Sequence, residues 1–161
     1  MLSLALLCAL AASPARVRDT RPEDLAAIRQ VMTDFQTAIR THDGKLLFSL
    51  MHDWHMLFAS PPTPELVEQT RAIDPNYAGL RPGGLQRFVE FIAGSKDKLE
   101  ERFLNPTIVQ DGDLAVVTFD FLFLENGEVT NAGLEVWQLT KRAGQWKLVS
   151  VMWTNHDVPK R

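Results

Sequence analysis

The dipeptide Asn126-Gly127 constrains this chain more than any other pair of neighbours. It lies between residues 114–124 (LAVVTFDFLFL) and 129–140, two long runs rich in β-branched and aromatic side chains. A type I′ turn needs positive φ at both central positions, which Asn and Gly tolerate, so the spacing predicts a two-residue hairpin. Ala143-Gly144-Gln145 predicts a second turn, of three residues, after which residues 146–155 (WKLVSVMWTN) return as a strand. Asp111-Gly112 turns the chain into the first run, and residues 99–110 alternate loosely as a strand interrupted near Asn105-Pro106. The C-terminal third is thus expected to form a meander of antiparallel strands whose apolar face needs a cover.

The preceding residues supply one. Leu25, Ile28, Val31, Met32, Phe35 and Ile39 recur at three- and four-residue steps, the period of an amphipathic helix. Pro22, Glu23 and Asp24 suit its first turn, and His42-Asp43-Gly44 ends it. A second, shorter helix is expected over residues 45–51, then a short strand over 54–59 (WHMLFA) stopped by Pro61, Pro62 and Pro64. Residues 60–83 read as a long irregular stretch with a weak helix over 65–72. Gly83-Gly84 opens a further helix with Leu85, Phe88, Val89 and Ile92 inward, and Gly94 stops it. Helices gathered on one face of an antiparallel sheet make an α+β domain. At 161 residues the chain can bury about two thirds of its unfolded surface, enough for one core without a disulfide or metal staple.

Residues 1–15 differ from the rest. Positions 2–12 (LSLALLCALAA) are too short an apolar run to span a bilayer, and Ser13-Pro14-Ala15 offers the small residues of a cleavage site. The expectation is a cleavable signal over 1–15, one domain over 16–161, a periplasmic or secreted location, and no membrane span in the mature chain. Removing it takes away Cys8, the chain's one cysteine, which excludes thiol catalysis and disulfides. A formal net charge of -3 offers little to a phosphate backbone, so no nucleic-acid partner is expected.

The order of elements resembles the nuclear-transport-factor-2-like superfamily, a cone of curved sheet and about three helices around a pocket. The tail GLEVWQLTKRAGQWKLVSVMWTNH, with Trp137 and Trp146, looks like the end of its SnoaL-like and lumazine-binding-like branches. The stretch FIAGSKDKLEERFLNPTIVQDGDLAVV is similar to secreted bacterial members of the latter. The resemblance covers about residues 22–156. It implies a pocket lined by the last two strands and a tendency to dimerise. It does not imply one activity, because the superfamily includes isomerases, dehydratases, hydrolases and binding modules. Similar sequences tend to carry a histidine where Asn131 stands and a basic residue where Asn155 stands.

The turns set a register. Counting back from Asn126-Gly127 places Asp120 opposite Gly133 and Thr118 opposite Glu135. The three-residue loop pairs Arg142 with Trp146 and hence Glu135 with Trp153. One face then carries Phe119, Phe121, Phe123, Leu134, Val136, Leu148 and Met152. The other carries Thr118, Asp120, Asn131, Glu135, Trp137, Val151, Trp153 and Asn155. Aromatic walls with a few converging polar groups mark the second face as the candidate pocket; a dimer-forming or solvated face is the alternative. Asp120 and Glu135, on neighbouring strands, are the candidate acid–base pair, with Arg102 as an ion-pair partner. Thr118, Asn131, Trp137, Trp153, Asn155 and His55 are the candidate ligand contacts. His52 is expected to meet a helix C-terminus. His52, Asp53 and His55 lack a third convergent ligand, and no phosphate loop or nucleophile elbow occurs, so neither metal nor cofactor is expected.

Three functional readings follow: a secreted domain binding a small, partly aromatic ligand; a cofactor-independent isomerase, dehydratase or cyclase with Asp120 or Glu135 as general base; and a dimerisation or accessory module. A homodimer is expected.

Overall fold

The computed structural model describes residues 18–80 and 83–156; the expected signal segment lies outside them. Helix α1 (Pro22–Thr41) starts with proline in its first turn and ends where His42 turns left-handed at φ 58°. Its predicted stripe is buried from Ile28 to Ile39. In α2 (Gly44–Ser49) the Asp43 carboxylate caps the helix by accepting from the Leu46 N–H at 2.8 Å. Strand β1 (Leu57–Ala59) is followed by α3 (Pro64–Ile73), which buries none of its residues, and by α4 (Leu85–Gly94), which buries Leu85 and Ile92.

Strands β2 (Leu99–Asp111), β3 (Leu114–Glu125), β4 (Glu128–Arg142) and β5 (Gln145–Trp153) form the antiparallel meander. β1 adds to it in parallel with β5, giving a five-stranded sheet of order β1-β5-β4-β3-β2. The helices cover one face, and the core between them centres on Trp137. That indole lies 4.9 Å from the Phe35 ring and meets Phe119 edge-on at 5.0 Å.

Two bulges correct the register expected from the turns. Glu125 pairs with Glu128 and Leu124 with Val129, but Phe123 then pairs with Asn131, leaving Thr130 as the extra residue. Beyond that point Phe119, not Thr118, lies opposite Glu135, and Asp120 lies opposite Leu134. The second turn is two residues, Ala143-Gly144, both at positive φ, and Arg142 pairs with Gln145. A shift between Gln138 and Leu139 then restores the pairing of Glu135 with Trp153. The helix-covered face therefore carries Phe119, Phe121 and Phe123 together with Glu135, Trp137 and Trp153. Thr118, Asp120, Leu134 and Met152 belong to the outer face.

At one end of this core a buried carboxylate ties helix to sheet. Asp24, 2% exposed, accepts from Lys141 Nζ at 2.7 Å and from Trp146 Nε1 at 3.0 Å, and faces Arg21 Nε at 3.4 Å. The lysine and indole hydrogen bonds hold its pKa below the ordinary carboxylate value.

Candidate functional site

Between the sheet and the helices lies a cavity of about 630 Å³. Phe35 of α1, Phe58 of β1, and Phe88 and Phe91 of α4 supply its helix-side wall. Phe121 and Phe123 of β3 and Trp153 of β5 supply the sheet-side wall. Phe58 packs at 5.2 Å from Phe88 and 5.0 Å from Trp153, joining the walls. The polar lining is Glu101, Glu125, Thr130, Asn131 and Glu135, with Asn155 and His156 beyond β5. A second cleft of about 670 Å³, beside the stacked rings of Phe48 and Trp54, is lined mainly by the end of α1, α2 and α4. Its Asp43 carboxylate is already engaged in capping α2.

Two carboxyl groups give the first cavity its chemistry. Glu135 is 4% exposed and Glu101 is 6% exposed, and the two side chains hydrogen-bond each other. Glu135 Oε1 also accepts from Trp137 Nε1 at 2.6 Å. Burial raises the Glu135 pKa to about 7, and the bonds from Trp137 and Glu101 keep it from rising further. Glu101 is pushed well above the ordinary range, first by burial, then by the Glu135 charge and the bond it shares with that group. The pair therefore holds a proton between its two carboxyl groups at neutral pH. Glu101 Oε2 is buried without a hydrogen-bond partner. The Gln36 amide donates to the Glu101 carbonyl oxygen at 2.9 Å, fixing that stretch of β2 against α1. A neutral acid beside a group that titrates near neutrality can give and take a proton, or bind a donor strongly.

The cavity's mouth depends on a close approach. A Cβ at Gly133 would collide with the Thr154 carbonyl oxygen, so only glycine lets the segment after β5 close over β4. That segment is held by Thr154 N–H donating to the Leu134 carbonyl and His156 N–H to the Ala132 carbonyl, each at 2.9 Å. Asn155 and His156 reach the rim in this way, and Asn155 Nδ2 donates to Ser60 Oγ at 2.7 Å.

Of the residues singled out from sequence, Asn131, Glu135, Trp153 and Asn155 line the cavity. Trp137 lies behind Glu135, fully buried, and holds that carboxylate rather than a ligand. Asp120 and Thr118 are corrected to the outer face, because the Thr130 bulge shifts their partners by one. Asp120 is exposed there and accepts from Asn105 Nδ2 at 3.2 Å. His55 is displaced from the site as well: its side chain is 96% exposed, beside Asp53. Arg102 forms a two-pronged pair with Glu100, at 2.6 and 3.1 Å, and faces away from Glu135. His52 follows α2 by a few residues, and its ring lies 3.6 Å from Asp53 Oδ2. Glu101 was missed. Its signal was parity, since Leu99 and Phe103 stand two residues to either side and face the core.

No protein-family model matches this chain, and no curated protein sequence matches it. Solved structures do. A nuclear-transport-factor-2-like protein with a cystatin-like fold from Novosphingobium aromaticivorans superposes with a TM-score of 0.61 at 15% identity, over 85% of this chain and 84% of that one. One of unknown function from Methylobacillus flagellatus gives 0.61 at 14% identity, over 86% and 97%. Another of unknown function, from Shewanella baltica, gives 0.57 at 15% identity, over 86% and 98%. Curved sheet, covering helices and the cavity between them together make this the nuclear-transport-factor-2-like fold, also called cystatin-like.

Proposed function

We propose that the chain is a ligand-binding domain that holds a small, partly aromatic molecule against the Glu101–Glu135 pair. The observation that carries this reading is the pair itself, two buried carboxyl groups at an aromatic cavity with one oxygen, Glu101 Oε2, unpartnered. A buried acceptor without a partner costs stability that a bound donor would restore. Export through residues 1–15 to the periplasm or medium belongs to the same reading. So does homodimerisation through the outer face, where Leu104 and Leu134 flank Asp120 and are 42% and 45% exposed.

Native mass spectrometry of purified protein, followed by a thermal-shift screen of small metabolites, tests the reading. A ligand that raises Tm for the parent but not for Trp153→Ala supports it; equal responses from both proteins would refute it. Envelope fractionation with N-terminal mass analysis checks export, and light scattering checks the dimer.

The second reading is a cofactor-independent isomerase, dehydratase or cyclase. The observation favouring it is a carboxylate, Glu135, whose pKa lies at about 7 beside a protonated carboxylic acid. Glu135 would take a proton and Glu101 would give one, with Trp137 positioning Glu135. Glu135→Gln should then lower turnover by about 100-fold or more while ligand still binds. Unchanged turnover would exclude this reading.

A further inference from the structure

The ionisable side chains of the cavity are nearly all acids. Glu101 and Glu135 share a hydrogen bond in its wall and Glu125 ends the strand that lines it, while neither lysine nor arginine is among its described lining residues. The remaining ionisable lining group is His156, half of a 3.5 Å contact with Thr154 Oγ1 beyond β5. An anionic ligand would enter against carboxyl groups with no cation to receive it. A ligand with only acceptors would leave Glu101 Oε2 unpartnered. A cation meets neither objection, and an ammonium brings three donors. The apolar lining also suits one, because aromatic faces attract cations most strongly where water is excluded.

We propose that the cavity takes a small organic cation, an amine carrying an aromatic ring, with its ammonium donating to Glu101 and Glu135 and its ring between Phe88, Phe121 and Trp153. This rests on the ligand-binding reading and names the class of ligand. The ammonium keeps its protons, and the two carboxyl groups keep the one they share, so one positive charge meets one negative charge. A second proton, carried by the pair in part of the molecules at pH 7 because Glu135 titrates at about 7, leaves to solvent, and binding releases a fraction of a proton per ligand.

Calorimetry at pH 7 with two matched series tests this: phenethylamine, phenethyl alcohol and phenylacetate; and tryptamine, tryptophol and indoleacetate. Each amine should bind about tenfold or more tightly than its alcohol, the difference that one charge-assisted hydrogen bond supplies. The acids should give no heat of binding. Amine binding should show different apparent enthalpies in phosphate and Tris, reporting the released proton. The double variant Glu101→Gln, Glu135→Gln should bring amine affinity down to that of the alcohol, whose own binding shows that the cavity is intact. Alcohols or acids binding as tightly as the amines would overturn the cation and leave the pocket reading standing. Amine affinity unchanged by Trp153→Ala would overturn the location. No heat from any of the six would overturn the cation and the small-aromatic-ligand reading together.

Discussion

Asp24 and Glu135 are both buried carboxylates, and each accepts a hydrogen bond from an indole N–H. Trp146 donates to Asp24 at 3.0 Å and Trp137 to Glu135 at 2.6 Å. They differ in what else is present. Asp24 has Lys141 at 2.7 Å and Arg21 at 3.4 Å, whereas Glu135 has a second carboxyl group, Glu101. The cations hold Asp24 ionised and make it a fastener between α1 and the sheet. The acid beside Glu135 keeps a proton in the cavity. Burial alone does not set a carboxylate's state; the charge of its nearest partner decides whether it is held ionised or keeps a proton.

The largest expected effect comes from Asp24→Ala, which strands Lys141 and the Trp146 N–H. Tm should fall further than for substitutions at Glu101, Glu135, Trp137 or Asp120. Glu101→Gln with Glu135→Gln should leave Tm unchanged or raise it at pH 8, because it removes buried charge that no cation offsets. Equal falls in the two proteins would erase the distinction.

Next come opposite pH dependences. The Glu135 pKa is raised from 4.5 to about 7, so its contribution is fully present below pH 4.5 and is lost as pH rises through 7. That change amounts to roughly 3 kcal/mol at one unit per 1.36 kcal/mol. The Asp24 pKa is lowered from 3.8, so its contribution is present above pH 3.8 and is lost as pH falls through the lowered value. Urea unfolding across pH should show both limbs. The double glutamine variant should flatten the neutral limb only, and Asp24→Asn the acid limb only.

Trp137→Phe sharpens the comparison further. It should cost about 1–3 kcal/mol, the worth of a hydrogen bond to a charged group, and move the neutral limb to higher pH. The smallest effect is expected from Asp120→Asn, within about 0.5 kcal/mol, as for other exposed sites. It should leave binding in the cavity unchanged, as measured by the same thermal shifts. A lost response would return Asp120 to the site and refute the observed register.

What could be read in advance follows the same physics. Turns built on Asn126-Gly127 and Ala143-Gly144 announce themselves through residues that accept positive φ, and the helix stripes through their period. A bulge has no such composition, so Thr130 gave no warning that the parity of β3 against β4 changes there. The expected pairing of Glu135 with Trp153 agrees with the structure because two differences cancel: the turn is one residue shorter than its sequence suggests, and the shift near Leu139 adds that residue back. Glu101 stayed hidden because the cluster Glu100-Glu101-Arg102 reads as a solvated charge run. Its alternation sends Glu100 and Arg102 to water and Glu101 to the cavity.

Gly133 carries a consequence for anyone mapping this protein by substitution. Every residue larger than hydrogen there must push Thr154 aside and draw Asn155 and His156 from the rim. A survey scored on lost binding alone would rank Gly133 beside Glu135, a site with no side chain beside one whose side chain is its whole role. Paired stability and binding scores would separate them: loss at 133 is a loss of shape, borne by every ligand alike. Under the proposed binding mode, loss at 135 is a loss of charge, and falls on ligands according to their own.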